Sequence, residues 1–200
     1  MTRFTDRQPT LCHVLHTMHV GGAEMLAAEY ARRGRSEFRV LFACLDDLGE
    51  LGARLRDEGF VVEVIGRRPG FDLGCVRRLA KLFARHDVDV VHAHQYGPFF
   101  YSSLSRLFRH GTPILFQEHG RDYPDYPRPK RKWANRVLLR PRDRVVSVGQ
   151  CVRQALVENE GLDANRVEVV YNGVDLRRYE PAKNERASVR EELGLASDQT

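Results

Sequence analysis

Short apolar runs alternate with longer stretches of helical spacing along almost the whole of this 200-residue chain. The runs, such as VLFACL, are nearly continuous in apolar residues, whereas the stretches between them repeat apolar residues with a period near 3.6. Strands of this kind are buried on both faces, and strands separated by helices pair in parallel. We therefore predict an α/β fold, a Rossmann-like parallel β-sheet of about seven strands with helices on both faces. The predicted strands span residues 11–16, 39–45, 61–65, 88–92, 113–117, 144–148 and 167–171.

The composition of the chain changes after Asp175, where a charged tail with few β-branched residues begins. Two hundred residues are enough for one core and few for two. We therefore predict one Rossmann-like domain over residues 1–175. Residues 176–200 are predicted to be a linker and the start of a further domain.

Several protein classes are disfavoured by the sequence. No apolar run approaches the length of a membrane-spanning helix, and His13 and His16 interrupt the first apolar run, unlike a secretory signal. The net charge of +5 is modest, and no nucleic-acid recognition motif is present. We expect a cytoplasmic protein that does not bind nucleic acid.

A glycine pair follows the first predicted strand, in the sequence HVGGAE. Gly21 and Gly22 let the backbone approach a ligand closely, and the N-terminus of the following helix, which includes Glu24, favours a phosphate or a developing anion. The pair matches neither the G-x-G-x-x-G dinucleotide motif nor a P-loop. It is either a phosphate site or a tight strand-to-helix turn.

Histidines mark the ends of two later strands. His92 and His94, two residues apart, point to one face of the fourth strand, where they could contact substrate, pack, or hold a metal ion together with His119. His119 follows the fifth strand and precedes a glycine, and its imidazole can donate or accept near neutral pH. We take His119 as the catalytic candidate, although a lone histidine can also be structural, and we predict no metal site.

The motifs together resemble one enzyme family. The series GGAE, DVVHAH, EHG, RVVSVGQCVRQAL and RVEVVYNGVD is similar to the N-terminal half of the retaining glycosyltransferases of family 4 (group 1), which have the GT-B architecture of two Rossmann-like domains. The similarity covers residues of about 10–195. It implies a hexosyltransferase-like enzyme that transfers a sugar from a nucleotide-sugar, its co-substrate, to an acceptor such as a lipid-linked or polysaccharide precursor, and that uses no further cofactor.

The resemblance also implies roles for individual residues. Gly21, Gly22 and Glu24 would face the phosphates and sugar of the donor, and His119 would contact the transferred sugar near its anomeric centre. The N-terminal domain would hold most of the acceptor site, for which the candidate residues are His94, Tyr96, Arg121, Tyr123 and Asn172.

The family's basic pair and E-x7-E glutamates, which bind the donor, belong to its C-terminal domain. Glu50 and Glu58 have an E-x7-E spacing, as do Glu160 and Glu168, but neither pair has the glycine-rich context of the family. We therefore expect the donor-binding domain to act in cis or in trans with this chain, and the 200 residues alone to be inactive.

A basic segment begins at Arg128 and ends at Arg144, with Trp133 and two leucines among its eight cationic residues. Such a segment suits the anionic, cytoplasmic face of a membrane, but it is also typical of a solvated helix. Two other function classes remain open from the residues alone. They are a metal-dependent hydrolase that uses His92, His94 and His119, and a non-catalytic α/β binding module.

Overall fold

The computed structural model describes residues 7–109, 111–120, 126–176 and 185–195. Seven strands form one sheet in the order β3-β2-β1-β4-β5-β6-β7, and every neighbouring pair is parallel. The predicted seven-stranded Rossmann-like sheet is therefore confirmed. The strands are β1 (Thr10–Leu15), β2 (Arg39–Cys44), β3 (Val61–Val64), β4 (Val90–His94), β5 (Ile114–Glu118), β6 (Arg144–Ser147) and β7 (Val167–Val169).

Helices connect the strands and cover both faces of the sheet. One α-helix follows each of the first six strands, and a 3-10 helix (Ala164–Arg166) precedes β7. The α-helices are α1 (Gly22–Gly34), α2 (Gly49–Asp57), α3 (Leu73–Arg85), α4 (Tyr96–Ser105), α5 (Pro129–Leu138), α6 (Gln150–Glu160) and α7 (Glu185–Glu192). No helix in the described ranges is long and apolar enough to cross a bilayer. Helix α7 lies within the predicted linker, and the domain boundary near residue 175 stays a prediction.

Two apolar cores lie on opposite faces of the sheet. Alternate strand residues such as Cys12 and Val14 pack with α3, α4 and α6 on one face, whereas Leu15 and Phe42 pack with α1 and α2 on the other. The apolar runs are nearly continuous because both sets of residues are buried. Small residues on the inner side of α1, including Ala27 and Ala31, allow that helix to lie close to the sheet.

The strand order reverses between β1 and β4. From β1 the chain extends the sheet through β2 and β3, and it then returns to place β4 on the other side of β1. The connections that leave β1 and β4 therefore diverge and leave a crevice at the carboxyl edge of the sheet. Ligands of open α/β sheets bind in such crevices.

The fourth strand lies two residues later than predicted. The sequence pattern predicted residues 88–92, but β4 spans Val90–His94 and includes both histidines of the HAH motif. Polar residues usually mark the end of a buried strand, and here they do not because the imidazoles bind one another within the fold.

Candidate active site

A cleft of about 420 Å³ lies at the carboxyl edge of the sheet, beside the reversal in strand order. The loops that leave β1 and β3, the start of α4 and the carboxyl end of β5 supply its wall, and α5 closes one side. Tyr96, one of the predicted acceptor residues, lies in this wall. The lining residues are His16, Arg67, Gln95, Tyr96, Gly97, Glu118 and Arg131.

Close packing fixes the start of α4 against the loop after β1. A Cβ atom on Gly97 would lie 2.5 Å from the ring of His16, so only glycine fits at this contact. The preceding residue, Gln95, has φ of 71° and ψ of 169°, a conformation that residues other than glycine rarely adopt. Backbone strain of this kind accumulates at functional sites, and here it lies at the turn between β4 and the cleft.

Two arginines of the cleft wall are held by carboxylates. Arg67 donates to both oxygens of Asp46 at 2.8 Å, and Arg131 donates to Glu160 at 2.6 Å. Arg131 also stacks over the ring of Tyr96, with its guanidinium carbon 3.9 Å from the ring centroid. These contacts fix the cationic groups in place, so they give the cleft a rigid polar wall.

Glu118 is a buried carboxyl group in the same cleft, with a side chain only 3% exposed. Burial, followed by the negative charge of Glu160, raises the pKa of Glu118 to about 7, although the backbone N–H of His119 donates to its Oε1 at 3.1 Å. A carboxyl group with this pKa can be protonated or ionised at neutral pH. The sequence analysis did not identify Glu118 as a site residue.

Imidazoles form a buried row beneath α1. His13 of β1 lies opposite His92 of β4 in the strand register, and His92 and His94 stack with their ring centroids 4.1 Å apart. His13 Nδ1 is 2.9 Å from His94 Nε2, and His94 Nδ1 is 3.0 Å from His119 Nε2. His119 therefore lies at the outer end of the row, next to Glu118 of the cleft.

Burial keeps the inner imidazoles of the row neutral. Desolvation, with a smaller contribution from the neighbouring imidazoles, holds the pKa values of His13 and His94 well below the ordinary value of 6.5. The pKa of His92 is lowered to about 4, again mainly by burial. His13, His92 and His94 are therefore uncharged rings at neutral pH.

The same histidines are poorly arranged to share a metal ion. His13, His92 and His94 each bring one ring nitrogen within 4.8 Å of the others. However, the rings of His92 and His94 are inclined by only 27° to each other, and an imidazole lone pair lies in the plane of its ring. Stacked rings direct their lone pairs side by side, whereas a tetrahedral ion needs them to converge. The metal-dependent hydrolase is therefore not favoured.

His94 lies deeper than a substrate-contacting residue would. Its side chain is 1% exposed, and both ring nitrogens are within hydrogen-bonding distance of other imidazoles. The contact of His94 with substrate stays a prediction. In this structure its link to the surface is the hydrogen bond to His119.

The glycine pair lies at the N-terminus of α1, as predicted. Gly21 is the N-cap residue, and the side chain of Glu24 folds back so that its Oε2 would lie 2.4 Å from a Cβ on Gly21. A Cβ on Gly22 would have no atom within 4 Å, so the space above this residue is open to a ligand. The donor-binding roles of these residues stay predictions.

The remaining predicted site residues lie elsewhere. Asn172 lines a separate cleft of about 260 Å³ between α1 and the segment after β7, where Arg33 pairs with Asp175 at 3.5 Å. Arg121 and Tyr123 lie outside the described residues. Sequence reasoning missed His13, although a histidine inside the apolar strand TLCHVL is itself a signal, because a buried polar side chain needs a partner.

A family model matches the greater part of the chain. The model for Glycosyltransferase Family 4 covers residues 20–178, from the glycine loop to just beyond β7. No curated protein sequence matches the chain.

Solved structures share the fold. A glycosyltransferase from Rickettsia africae is 21% identical, with a TM-score of 0.78 over 96% of this chain and 51% of its own. Anabaena HepE in complex with UDP is 20% identical, with a TM-score of 0.76 over 92% of this chain and 50% of its own. A UDP-N-acetylglucosamine 2-epimerase from Rickettsia bellii is 13% identical, with a TM-score of 0.54 over 95% and 52%. The chain thus spans about half the length of these structures, and the presence of an epimerase among them means that fold alone does not define the activity.

Proposed function

The chain belongs to glycosyltransferase family 4, and we propose that it is the acceptor-side half of an enzyme that transfers a sugar from a nucleotide-sugar with retention of anomeric configuration. The observation that carries the proposal is the position of His119. It directly follows Glu118, the last residue of β5 and part of the cleft wall, and its Nε2 lies 3.0 Å from Nδ1 of His94.

The proposed chemistry needs two kinds of group. In a retaining transfer, positive charge develops at the anomeric carbon while the departing phosphate becomes more negative. The N-terminus of α1 at Gly21 and Gly22 can supply N–H donors to the leaving phosphate. The imidazole of His119 can hydrogen-bond a sugar hydroxyl and so hold the sugar in a reactive orientation. In this proposal His119 positions the sugar and does not act as the general base.

The acceptor is proposed to bind in the 420 Å³ cleft, against Tyr96 and the fixed arginines. The donor is proposed to be a nucleotide-sugar, which is supported by the UDP complex of Anabaena HepE. A second, donor-binding domain, in cis or in trans, would complete the site from the opposite side. No cofactor other than the nucleotide-sugar co-substrate is proposed.

Replacing His119 tests this proposal. In the enzyme that contains both halves, His119→Ala should lower kcat/KM for sugar transfer by about 10²-fold or more, because a contact that positions the sugar is lost. The free energy of unfolding should fall by no more than about 3 kcal/mol, because His119 is partly exposed but its removal leaves Nδ1 of buried His94 without this partner. Steady-state kinetics with a panel of UDP-sugars, and urea unfolding of the same preparation, measure both quantities.

His86→Gln is the matched control, because His86 caps α3 just before β4, at the opposite edge of the sheet. It should leave kcat/KM unchanged. Near-normal turnover of His119→Ala would remove His119 from the site, and equal losses in both variants would indicate a general effect on folding. A product with inverted anomeric configuration would refute retention, and binding of nucleotide-sugar without turnover by the complete enzyme would favour a non-catalytic binding module.

We also propose that the outward face of α5 docks on the anionic, cytoplasmic face of a membrane. Trp133 and Val137 are four residues apart on α5 and are 69% and 65% exposed, with the cationic residues Lys130 and Arg136 beside them. An exposed aromatic ring flanked by cations suits the headgroup region of a bilayer. Arg131 and Lys132, by contrast, are directed toward α6, where Lys132 donates to the carbonyl of Glu158.

Flotation with phosphatidylglycerol vesicles tests membrane docking. The protein should float at low salt, and flotation should fade as salt rises, because the Debye length falls to about 10 Å at 0.1 M. The double variant Lys130→Gln/Arg136→Gln, or Trp133→Ser, should abolish flotation. The charge-matched control Arg54→Gln/Lys81→Gln should not, because these two cations lie on α2 and α3. If the protein does not float at low salt, an acceptor free in solution is the better interpretation.

A further inference from the structure

Three imidazoles form a hydrogen-bonded line from the interior to the carboxyl end of β5. The line joins His13 to His94 at 2.9 Å and His94 to His119 at 3.0 Å. A neutral imidazole carries one N–H and one lone pair, so each contact needs one ring that donates and one that accepts. The line therefore has two arrangements when all three rings are neutral. Its N–H groups point either all outward, toward His119, or all inward, toward His13.

The buried end distinguishes the two arrangements. His13 is fully buried, and its Nε2 has no hydrogen-bond partner. In the inward arrangement the last N–H would lie on this nitrogen as a buried donor without an acceptor. In the outward arrangement only a lone pair remains there. Buried N–H groups without a partner are rare in native proteins, and unpaired acceptors are tolerated somewhat more often. The environment of His13 therefore favours the outward arrangement.

We propose that His13 and His94 are positioning residues that hold His119 in the tautomer with its proton on Nδ1. In this state the Nε2 lone pair of His119 accepts from His94, and Nδ1–H is its donor. In this tautomer neither ring nitrogen of His119 offers a lone pair for proton abstraction, which agrees with a role in positioning. The inference rests on the proposed function for its role in sugar transfer, whereas the tautomer itself can be measured without any substrate.

The protonation state of the two inner rings is consistent with a fixed tautomer at His119. Burial holds the pKa values of His13 and His94 well below neutrality, so neither ring carries a second proton that would allow it to donate from both nitrogens. A change of tautomer at His119 would require a proton shift in all three rings. Such a shift would end with the unpaired N–H on His13.

His92 provides an internal reference within the same row. It stacks on His94 but is bonded elsewhere, because its Nε2 lies 2.8 Å from Oε1 of Gln117. A carboxamide oxygen only accepts, so His92 must carry its proton on Nε2. The two histidines of the HAH motif are therefore expected in opposite tautomers.

Nitrogen NMR of the 200-residue chain tests the inference. In two-dimensional ¹H–¹⁵N spectra of ¹⁵N-histidine-labelled protein at pH 7.5, protonated and unprotonated ring nitrogens have distinct shifts. His13, His94 and His119 should have the proton on Nδ1, and His92 on Nε2. A proton on Nε2 of His119 in the wild-type chain would overturn the proposal.

Substitution at the buried end tests the cause. His13→Phe removes the ring that donates to His94 and should therefore allow His119 to change to a mixture of tautomers or to the Nε2–H form. His92→Phe is the matched control, since it replaces an adjacent buried ring outside the line, and should leave His119 as Nδ1–H. If His13→Phe leaves the tautomer of His119 unchanged, or if both variants alter it equally, His13 does not fix the tautomer of His119. If His13→Phe does not fold, the wild-type spectrum still decides the tautomer. If His119 of the wild-type enzyme has the Nδ1–H tautomer but the enzyme does not transfer sugar, the proposed function is contradicted and the inference about the tautomer is not.

Discussion

Lowering the pH from 8 to 5 is expected to reduce the free energy of unfolding of this chain by about 3–4 kcal/mol, through the buried imidazoles of the sheet. His13, His92 and His94 stay neutral in the folded state because burial lowers their pKa values, to about 4 for His92 and well below 6.5 for the other two. In the unfolded chain each titrates near its ordinary pKa. Below pH 6.5 the unfolded state therefore binds more protons, and stability falls as the pH falls.

Protonation of Glu118 changes the free energy of unfolding in the opposite direction over part of the same pH range. Its pKa is about 7 in the folded state and near 4.5 in the unfolded state, so between these values the folded protein holds the extra proton. This contribution to stability is complete below pH 4.5 and is lost as the pH rises through 7. Each proton changes the free energy of unfolding by about 1.4 kcal/mol per pH unit, so three histidines against one glutamate give a net slope of about 3 kcal/mol per pH unit near pH 5. The expected loss of about 3–4 kcal/mol is a large share of the total stability of about 5–15 kcal/mol that is typical of a domain.

Urea unfolding at pH values from 8 to 5 measures this slope. His92→Phe should reduce the slope by about one proton, and Glu118→Gln should steepen it by about one proton while stabilising the protein at pH 8. Phe60→Leu is the control, because it changes a buried ring that carries no ionisable group and should leave the slope unchanged. A free energy of unfolding that stays level from pH 8 to 5 would mean that the imidazoles are charged in the folded protein or exposed to water.

The strands were predictable because the apolar pattern that marks a buried strand lies within each short run of sequence. The imidazole row, in contrast, depends on contacts between residues far apart in the chain. The run VLFACL is apolar on both faces of the sheet, so its pattern is sufficient to identify β2. His13 and His94, however, are 81 residues apart, and they meet only because the strand order reverses between β1 and β4. Without that topology the HAH motif indicates the end of a strand, and the prediction for β4 was displaced by two residues.

The same limit applies to the candidate site. The positions of Tyr96 and His119 could be predicted because both follow strands whose carboxyl ends meet at one edge of a parallel sheet, whereas their roles stay predictions. Glu118 was not identified as a site residue because its raised pKa arises from burial near Glu160, a residue of α6. The basic segment shows the difference most clearly. From the sequence alone, the eight cationic residues cannot be distinguished. In the structure Arg131 and Lys132 bind α6, whereas Lys130 and Arg136 are exposed to solvent.

The 200-residue chain by itself is expected to bind nucleotide-sugars with a Kd weaker than about 1 mM and not to turn them over. The groups that it offers to a donor are the N–H groups at the start of α1, where Gly22 lines the 260 Å³ cleft, and the ring of His119, next to Glu118 of the 420 Å³ cleft. A complete site would add charge-assisted hydrogen bonds from the second domain. Each is worth about 1.5–3 kcal/mol, so the absence of three costs about 5–9 kcal/mol. A micromolar complex corresponds to about 8 kcal/mol, and it would weaken to millimolar affinity or beyond.

Titration calorimetry with UDP-glucose, UDP-galactose and UDP-N-acetylglucosamine tests this expectation on the chain as it stands. Joining the chain to a C-terminal donor-binding domain should restore micromolar binding and sugar transfer, because the missing contacts are then supplied from across the cleft. Gly22→Val in the joined protein should weaken donor binding, since it fills the open space above the N-terminus of α1. Gly34→Val is the control, because Gly34 ends the same helix at its C-terminus and a Cβ there would only make ordinary contact with Phe38 at 3.5 Å. Micromolar binding by the 200 residues alone would place the donor site within this chain, and the division of the site between two domains would then be wrong.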